Sequence, residues 1–172
     1  MSQEKIPDIV GKPLTRKLTH SELEERIRGF LGRHSLCVLA TSCENIPRAT
    51  PLEYRSRDMV LYMMGDPGTK LHNIRSNPQV SVGVFDETFA RSRNWLDVAG
   101  LQITGTATLP EVGESGYEIT SALFGFSGEL PSQWIGSVIR VDPLKIELLD
   151  IALKQEGYAA RQVWEKLTEK KE

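Results

Sequence analysis

Short apolar runs separated by turn residues fill most of the chain, and they constrain its fold more than any other feature. In Gln79–Phe85 the valines at 80, 82 and 84 alternate with small or polar residues, which is typical of a half-buried strand. Similar runs predict strands at 36–41, 46–54, 59–64, 101–109, 138–141 and 145–150. Many short strands with short turns and few helices predict a mainly β domain, a barrel with helices packed outside it.

Four segments have helical character. Thr19 stands three residues before Glu22 and forms a capping box, and the apolar positions that follow repeat at helical spacing: Leu23, Ile27, Phe30 and Leu31. This pattern predicts a helix from about 20 to 32. Further helices are predicted at about 69–76, 114–126 and 158–170, and residues 1–17 are predicted to form a polar N-terminal arm.

The length and net charge of the chain limit the classes of function that it is expected to have. A chain of 172 residues with 40% hydrophobic content suits one domain spanning residues 1–172. A net charge of −2 provides no overall positive field, so neither nucleic acid nor an anionic membrane is an expected partner. The sequence has no run of the roughly 20 apolar residues that span a bilayer, and its start lacks the apolar core of a secretion signal. We therefore expect a cytoplasmic protein.

The sequence gives little support for hydrolytic or metal-dependent chemistry. The cysteines, Cys37 and Cys43, are too few for a disulfide framework or a four-thiolate zinc site and predict one buried thiol and one turn thiol. His20, His34 and His72 stand in cap, turn and helix contexts, where structural or solvated roles are expected. The sequence shows neither a Ser-His-Asp order nor a cluster of metal ligands.

The second strand carries two prolines, Pro47 and Pro51, which cannot donate hydrogen bonds to a neighbouring strand. Such a strand is expected to lie partly at a sheet edge or beside a ligand. Arg48 lies between the prolines, and its guanidinium could contact a dianion through two parallel hydrogen bonds. An arginine on an exposed strand face is the alternative interpretation.

A glycine-containing turn, Gly65-Asp66-Pro67-Gly68, leads into Thr69 and Lys70 at the start of a predicted helix. It is not a nucleotide-triphosphate P-loop, because the two glycines are only three residues apart and the threonine precedes the lysine. Unpaired amides of a first helical turn, with a hydroxyl and an ammonium, suit one phosphate monoester. The alternative is that Thr69 only caps the helix and Lys70 is solvated.

The order of these motifs resembles the flavin-binding split-barrel proteins related to pyridoxamine 5'-phosphate oxidase. The resemblance rests on the runs 36–41, 47–52, 61–63, 69–70 and 77–82, and continues more weakly through 140–143 and Ile146. It implies a six-stranded split β-barrel of the FMN-binding type with peripheral helices. It also implies a homodimer that holds flavin mononucleotide (FMN) at its interface.

Carried over by position, the resemblance implies that Arg48, Thr69 and Lys70 hold the flavin phosphate. It implies that the ribityl chain and isoalloxazine ring lie along the backbone of two further stretches, Ala49-Thr50-Pro51 and Tyr62-Met63-Met64. Gln102 occupies a strand position where members often place a polar or basic residue near the flavin. Trp164 is a candidate to cover the flavin across the dimer. Core or interface packing is the alternative role for Trp164, and an exposed position on a strand without contact to the flavin is the alternative for Gln102.

Two departures from the family pattern bear on the reaction. The Arg161-Gln162-Val163-Trp164 segment lacks the Arg-x-His that binds substrate phosphate in the true oxidase, so oxidation of pyridoxamine phosphate is not expected. Thr69 stands where the nitroimidazole-reductase-like branch carries histidine, which argues against that branch as well.

The resemblance predicts a flavin-dependent oxidoreductase for an unidentified small molecule, with a nicotinamide cofactor or oxygen as redox partner. No catalytic side chain is assigned, since a bound flavin carries the redox chemistry. Two alternatives remain open at this stage. One is a non-catalytic binder or sensor of flavin, haem or deazaflavin, and the other is a dimeric interaction protein without a cofactor.

Overall fold

A computed structural model describes residues 5–127, 130–134 and 136–167 of the chain. Within these ranges, seven strands form one antiparallel sheet: β1 Leu36–Cys43, β2 Ile46–Arg57, β3 Val60–Met64, β4 Gln79–Phe85, β5 Ala99–Thr108, β6 Val138–Asp150 and β7 Arg161–Glu165. The same described residues include five α-helices: α1 Ile6–Gly11, α2 His20–Arg33, α3 Thr69–Ser76, α4 Thr88–Ser92 and α5 Ser115–Leu123. The predicted mainly β class is confirmed.

Six of the strands close into a barrel. The sheet runs in the order β3-β2-β1-β4-β5-β6-β7, and a further pairing of β3 with β6 joins its ends. The first half of β6 pairs with β3 and the second half pairs with β7, so β7 lies outside the ring. This arrangement is the predicted six-stranded split barrel.

Strand β6 is continuous, although two separate strands were predicted around Asp142-Pro143. Its register with β5 shifts between Thr104 and Gly105, and this irregularity accommodates the proline inside one long strand. A Cβ at Gly105 would lie 2.5 Å from the Asp142 carbonyl oxygen. The close approach of the two backbones therefore requires glycine at this position.

Helix α2 packs its apolar face against the barrel. Thr19 and Glu22 form the predicted capping box, with the Thr19 amide donating to the Glu22 carboxylate at 2.8 Å. The helix buries the four predicted apolar positions, Leu23, Ile27, Phe30 and Leu31. They join the inward side chains of the strands in one hydrophobic core.

The prediction of a final helix at 158–170 was wrong within the described residues. A short 3-10 turn, Ile151–Glu156, ends at Gly157 with a positive φ of 84°, and the chain then enters strand β7. In β7 the buried Gln162 and Trp164 alternate with exposed neighbours, which is the period of a strand. Residues 168–172 of that prediction lie outside the described residues.

Other predicted elements differ mainly at their ends. The predicted helix at 114–126 is the shorter α5, and the predicted N-terminal arm contains the one-and-a-half-turn helix α1 within its described part. None of the helices in the described ranges combines the length with the apolar character that a bilayer-crossing helix needs.

Candidate functional site

The first half of β2 forms an open edge of the barrel. Residues Ile46 to Glu53 pair with β1, whereas pairing with β3 starts only at Tyr54. Most side chains of this half are exposed, including both prolines. The expected position of the proline-containing strand at a sheet edge is therefore confirmed.

The hairpin turn before β2 consists of Glu44 and Asn45, which both have positive φ, as a two-residue type I′ turn requires.

Arg48 lies on the strand face that looks toward helix α3. It pairs with Thr41 across the β1–β2 ladder, so the two side chains project from the same face. The buried Asn73 of α3 donates from Nδ2 to Thr41 Oγ1 at 3.0 Å. This hydrogen bond attaches the helix beside Arg48, and residues far apart in the sequence thereby meet.

Helix α3 begins at Thr69, as predicted, and its N-cap is Gly68. Gly68 has no side chain with which to cap the helix, and its carbonyl accepts the Leu71 amide at 3.0 Å. Thr69 is therefore the first helical residue and not the cap, which argues against the alternative interpretation of this motif. The geometry of a first turn leaves the amides of Thr69 and Lys70 without an intrahelical acceptor.

Lys70 is buried at the start of this helix, with 7% of its surface exposed. Its Nζ donates to the Asp66 carbonyl oxygen. Burial lowers the pKa of Lys70, the charge of Asp66 opposes that shift, and the charge of Arg48 adds to it. The Lys70 ammonium is thus held against the turn before the helix, within reach of the charge of Arg48, and an anion beside both cations would be stabilised.

A cleft of about 270 Å³ opens beside these groups. Its walls are the hairpin turn with the start of β2, and the exposed side of α3: Cys43, Glu44, Ile46, Pro47, Arg48, Thr69, His72 and Asn73. Arg48 and Thr69, which the resemblance assigns to phosphate binding, thus line one cleft. Lys70 follows Thr69 in the first turn of α3 but is not among the described residues that line the cleft, and its Nζ donates to the turn before the helix. The structure therefore brings Arg48 and Thr69 together, and the part of Lys70 in phosphate binding stays a prediction.

The sequence interpretation missed His72, Cys43 and Asn73 as parts of this cleft. His72 was expected to be a surface residue that faces away from Thr69, and it is exposed, but it lines the same cleft three residues along the helix. Residues three apart on a helix share a face, and this spacing could have placed His72 there. Cys43 became a wall residue because the turn after it is only two residues long.

The strand residues assigned to the ribityl chain lie next to Arg48 on the open edge. Thr50 shares the inward face with Arg48, and its Oγ1 is buried without a hydrogen-bond partner among the described residues. A buried hydroxyl without a partner is costly, so a ligand polar group or water is expected to satisfy it. Ala49 and Pro51 are exposed and project from the opposite face.

The resemblance assigns Tyr62, Met63 and Met64 of β3 to the ribityl chain and ring of the flavin, but these residues have fewer groups available to a ligand than expected. The Met63 side chain is fully buried in the barrel core, and Tyr62 is buried on the other face, opposite Arg140 of β6. Both residues pair with β2 on one side and β6 on the other, so their backbone groups belong to the sheet. Met64, at the end of the strand, pairs only with β6 in these ladders. The contribution of β3 stays a prediction.

Gln102 and Trp164 lie away from this cleft within one chain. Gln102 is exposed on the outer face of β5, opposite Gly83 and Glu147, and lines a separate, mostly apolar cleft of about 310 Å³. Trp164 packs into the core, and its Nε1 donates to Glu24 of α2 at 2.9 Å. That bond lowers the pKa of Glu24. The packing of Trp164 favours a structural role, and both flavin assignments stay predictions.

Within the described ranges, His, Cys, Asp and Glu side chains do not gather in a group of three or more that could hold a metal ion. The charged side chains that line the cleft are Arg48 and the Glu44 carboxylate at the hairpin turn.

Comparison with known proteins agrees with this fold. A family model for pyridoxamine 5'-phosphate oxidase matches residues 23–132. A curated relative, the uncharacterized protein RA0666 of Rhizobium meliloti, is 32% identical over 74 residues, which are 43% of this chain. The match spans about half of that relative, 48% of its length.

Solved structures share the barrel. The crystal structure of a protein of Listeria innocua named for pyridoxamine 5'-phosphate oxidase is 25% identical, with a TM-score of 0.57, and the match covers 74% of this chain and 98% of that one. An FAD-binding protein of Mesorhizobium loti is 22% identical, with a TM-score of 0.55 and coverages of 76% and 94%. A haem-binding protein of Mycobacterium smegmatis is 15% identical, with a TM-score of 0.62 and coverages of 88% and 60%.

The two less similar structures show the shared fold, and the proteins that adopt it include binders of flavin and of haem. The family model covers well over half of the chain, including α3, the hairpin and the cleft between them. This chain therefore belongs to the pyridoxamine 5'-phosphate oxidase family.

Proposed function

We propose that the chain binds a flavin nucleotide through its phosphate, and that it acts as a flavin-dependent oxidoreductase on a small molecule. The observation that carries the proposal is that Arg48 and Thr69 line one cleft at the first turn of α3, where the charge of Arg48 also acts on the buried Lys70. Two cations whose charges act on each other favour a dianion beside both, and the free amides of a helix N-terminus add donors to the same region. FMN is the smallest flavin with such a phosphate monoester.

The residues present fit this group. The Thr69 hydroxyl and the two cations would bind the phosphate, and the Thr50 hydroxyl would donate to or accept from the polyhydroxy chain beside it. The open strand edge offers backbone groups to the polar rim of the ring. A bound flavin supplies the hydride and electron chemistry, while the protein positions it and sets the polarity around it.

We further propose a homodimer in which the partner covers the outer face of the barrel. On this face the pairs Val38–Pro51 and Ala40–Ala49 present small side chains, and Gln102 lies two strands further along the sheet. Small residues permit close approach of a second copy. The homodimer would bring Gln102 of one chain toward the flavin edge of the other, where its predicted role could be fulfilled.

The test is the identity of the small molecule released when the purified protein is denatured, measured by mass spectrometry and absorbance. A flavin is the expected result, and a haem Soret band without flavin would contradict the proposal. Stopped-flow mixing of the holoprotein with NADH or NADPH then tests the redox role. A flavin that no physiological donor reduces would leave a binding protein and would contradict the assignment as an oxidoreductase.

A further inference from the structure

Another cleft, of about 580 Å³, lies between helix α2 and the end of strand β6. It has about twice the volume of the cleft at α3, and the two clefts have no described lining residue in common. Its volume falls within the range of roughly 300–1,000 Å³ that is typical of pockets for small molecules. The proposed flavin phosphate site makes no use of it.

A glycine inside helix α2 opens this cleft. Gly29 lies in the interior of the helix, where glycine is less favourable than alanine, and it lines the cleft. Apart from the backbone of the helix itself, a Cβ at this position would meet only Arg33 Nη1, at 3.2 Å, which is the end of a flexible side chain. No side chain therefore covers the helix at this point of the wall, and a ligand can approach it closely.

Two opposite charges stand toward the ends of this wall. The Glu25 carboxylate makes no hydrogen bond or ion pair with any described residue, whereas Glu22 is held in the capping box. The Arg33 guanidinium lies over the Phe30 ring, 5.9 Å from its centroid, and likewise makes no hydrogen bond or ion pair within the described ranges. Glu25 and Arg33 are eight positions apart, which corresponds to about 12 Å along the helix axis.

The charges between these two ends are already paired. Arg26 Nη2 donates to Glu156 Oε2 at 2.5 Å, and its Nη1 lies 3.8 Å from Asp150 Oδ2. Burial raises the pKa of Asp150, and the hydrogen bond from the Ala152 amide offsets only part of that shift. A carboxylate in such a place can accept a further N–H donor. The middle of the cleft therefore suits neutral groups that donate hydrogen bonds, such as amides, better than another charge.

We propose that this cleft binds a short peptide with free termini, about three residues long. The ammonium group of the peptide binds Glu25, its carboxylate binds Arg33, and an amide between them donates to Asp150. An extended chain rises about 3.4 Å per residue, so three residues span about 10 Å, and the flexible side chains at the two ends can close the remaining distance. This inference goes beyond the proposed function and does not depend on it.

The rest of the lining selects among peptides. Leu18, Leu148 and Tyr158 give the cleft an apolar surface, which suits an apolar side chain on the peptide. A single amino acid carries both of its charges on groups attached to one carbon atom, so it cannot reach Glu25 and Arg33 together. A peptide whose terminus is blocked loses the contact at that end.

Calorimetric titration of the purified protein with the tripeptide Ala-Leu-Ala at low ionic strength tests the proposal. Acetylation of its amino terminus, or amidation of its carboxyl terminus, should each weaken binding about tenfold, as expected for the loss of one hydrogen bond to a charged group. Glu25→Gln should weaken binding of the free tripeptide about tenfold and that of the acetylated one by less than about twofold. Arg33→Gln should show the same relation with the amidated tripeptide.

A second pair of variants tests the position of the site. Gly29→Leu fills the cleft and favours the helix, so it should abolish tripeptide binding and leave the affinity for FMN unchanged. Gly32→Leu is the matched control, because Gly32 is not among the described lining residues and a Cβ there meets no atom within 4 Å. This control should bind the tripeptide as the unmodified protein does.

Three results would overturn the inference. They are no binding of Ala-Leu-Ala to the unmodified protein, equal losses for the free and acetylated tripeptides in Glu25→Gln, and binding of free leucine as tight as that of the tripeptide. Titration of the same samples with FMN reports on the proposed function separately. Tripeptide binding without FMN binding would contradict the proposed function and leave this inference intact.

Discussion

Asn73 Nδ2 donates a hydrogen bond to Thr41 Oγ1 at 3.0 Å, and both side chains are buried between helix α3 and strand β1. Helix α3 carries Thr69 and Lys70, whereas β1 holds the strand that carries Arg48. This side-chain contact therefore helps to fix the distance between the two halves of the candidate phosphate site, together with the hydrogen bond from Asn77 Nδ2 to Ser42 Oγ at the end of the helix. Its partners lie 32 residues apart in the sequence.

Replacement of Asn73 by leucine should loosen the phosphate site more than the fold. Leucine keeps the volume but leaves the Thr41 hydroxyl buried without its donor, which costs about 1–3 kcal/mol of unfolding free energy. We expect the chain to stay folded, with a lower midpoint in urea unfolding and weaker binding of FMN. In the double variant with Thr41→Val the buried hydroxyl is gone, so much of the lost stability should return. If the double variant is no more stable than Asn73→Leu, the hydrogen bond does not have this role.

Lys70 should make phosphate binding depend on pH in the alkaline range. Its pKa in the free protein is lowered by burial, and a dianion next to it would raise that pKa again. Between the two values the free protein has lost the proton that the complex keeps, so binding takes up a proton and affinity falls as pH rises. Calorimetry in two buffers of different ionisation enthalpy, at pH values just below the ordinary lysine pKa, should reveal this uptake.

The same titration has a matched control. Lys70→Met removes the titrating group, so the proton uptake should disappear together with part of the affinity, whereas Arg75→Met should retain both. In the free protein, stability should rise with pH across this window, because the unfolded chain binds the proton of Lys70 more strongly. Proton uptake that persists in Lys70→Met would show that another group is responsible.

The two cysteines should differ sharply in reactivity. Burial raises the pKa of the Cys37 thiol to about 12, whereas Cys43 is half-buried and lines the cleft. The thiolate is the reactive form of cysteine. An aromatic disulfide reagent should therefore modify Cys43 rapidly and Cys37 only as the protein unfolds. Cys43→Ser should abolish the fast phase. Bound flavin nucleotide should slow it, and a fast phase that is indifferent to flavin would place the ligand elsewhere.

Gly105 should be essential to the close approach of strands β5 and β6 in the barrel. An alanine there would place its Cβ 2.5 Å from the Asp142 carbonyl oxygen, where the register of β5 with β6 shifts. Since backbone must move to relieve that contact, we expect Gly105→Ala to lower the unfolding free energy by roughly 1–3 kcal/mol. Gly83→Ala is the control, because a Cβ there meets no atom within 4 Å. Equal midpoints of the two variants in urea unfolding would contradict the assignment.

The local patterns predicted much of the fold and the centre of the site. Alternating valines identified β4, the capping box identified the start of α2, and Gly68-Thr69 identified the start of α3. These signals depend on neighbours within a few residues of one another. The link between Arg48 and Lys70 came from the family resemblance, and the contact between Thr41 and Asn73 that supports it is a tertiary event that no local pattern contains.

The errors arose where local pattern and tertiary context disagree. The segment after Gly157 has charged residues at spacings that a helix allows, but pairing with the second half of β6 makes it a strand. The same pairing places the Trp164 side chain in the core, where its Nε1 donates a hydrogen bond to Glu24. The break predicted at Pro143 did not occur, because the shift opposite Gly105 lets a proline remain inside a long strand.

The most direct test of the central claim compares FMN with riboflavin, which differ by the phosphate alone. In the unmodified protein, FMN should bind at least about a hundredfold more tightly than riboflavin, since the phosphate meets two cations and the amides of a helix start. In the Arg48→Met, Lys70→Met double variant this preference should nearly vanish, while riboflavin affinity stays unchanged and Arg75→Met retains the full preference. An FMN preference that survives in the double variant would contradict the account.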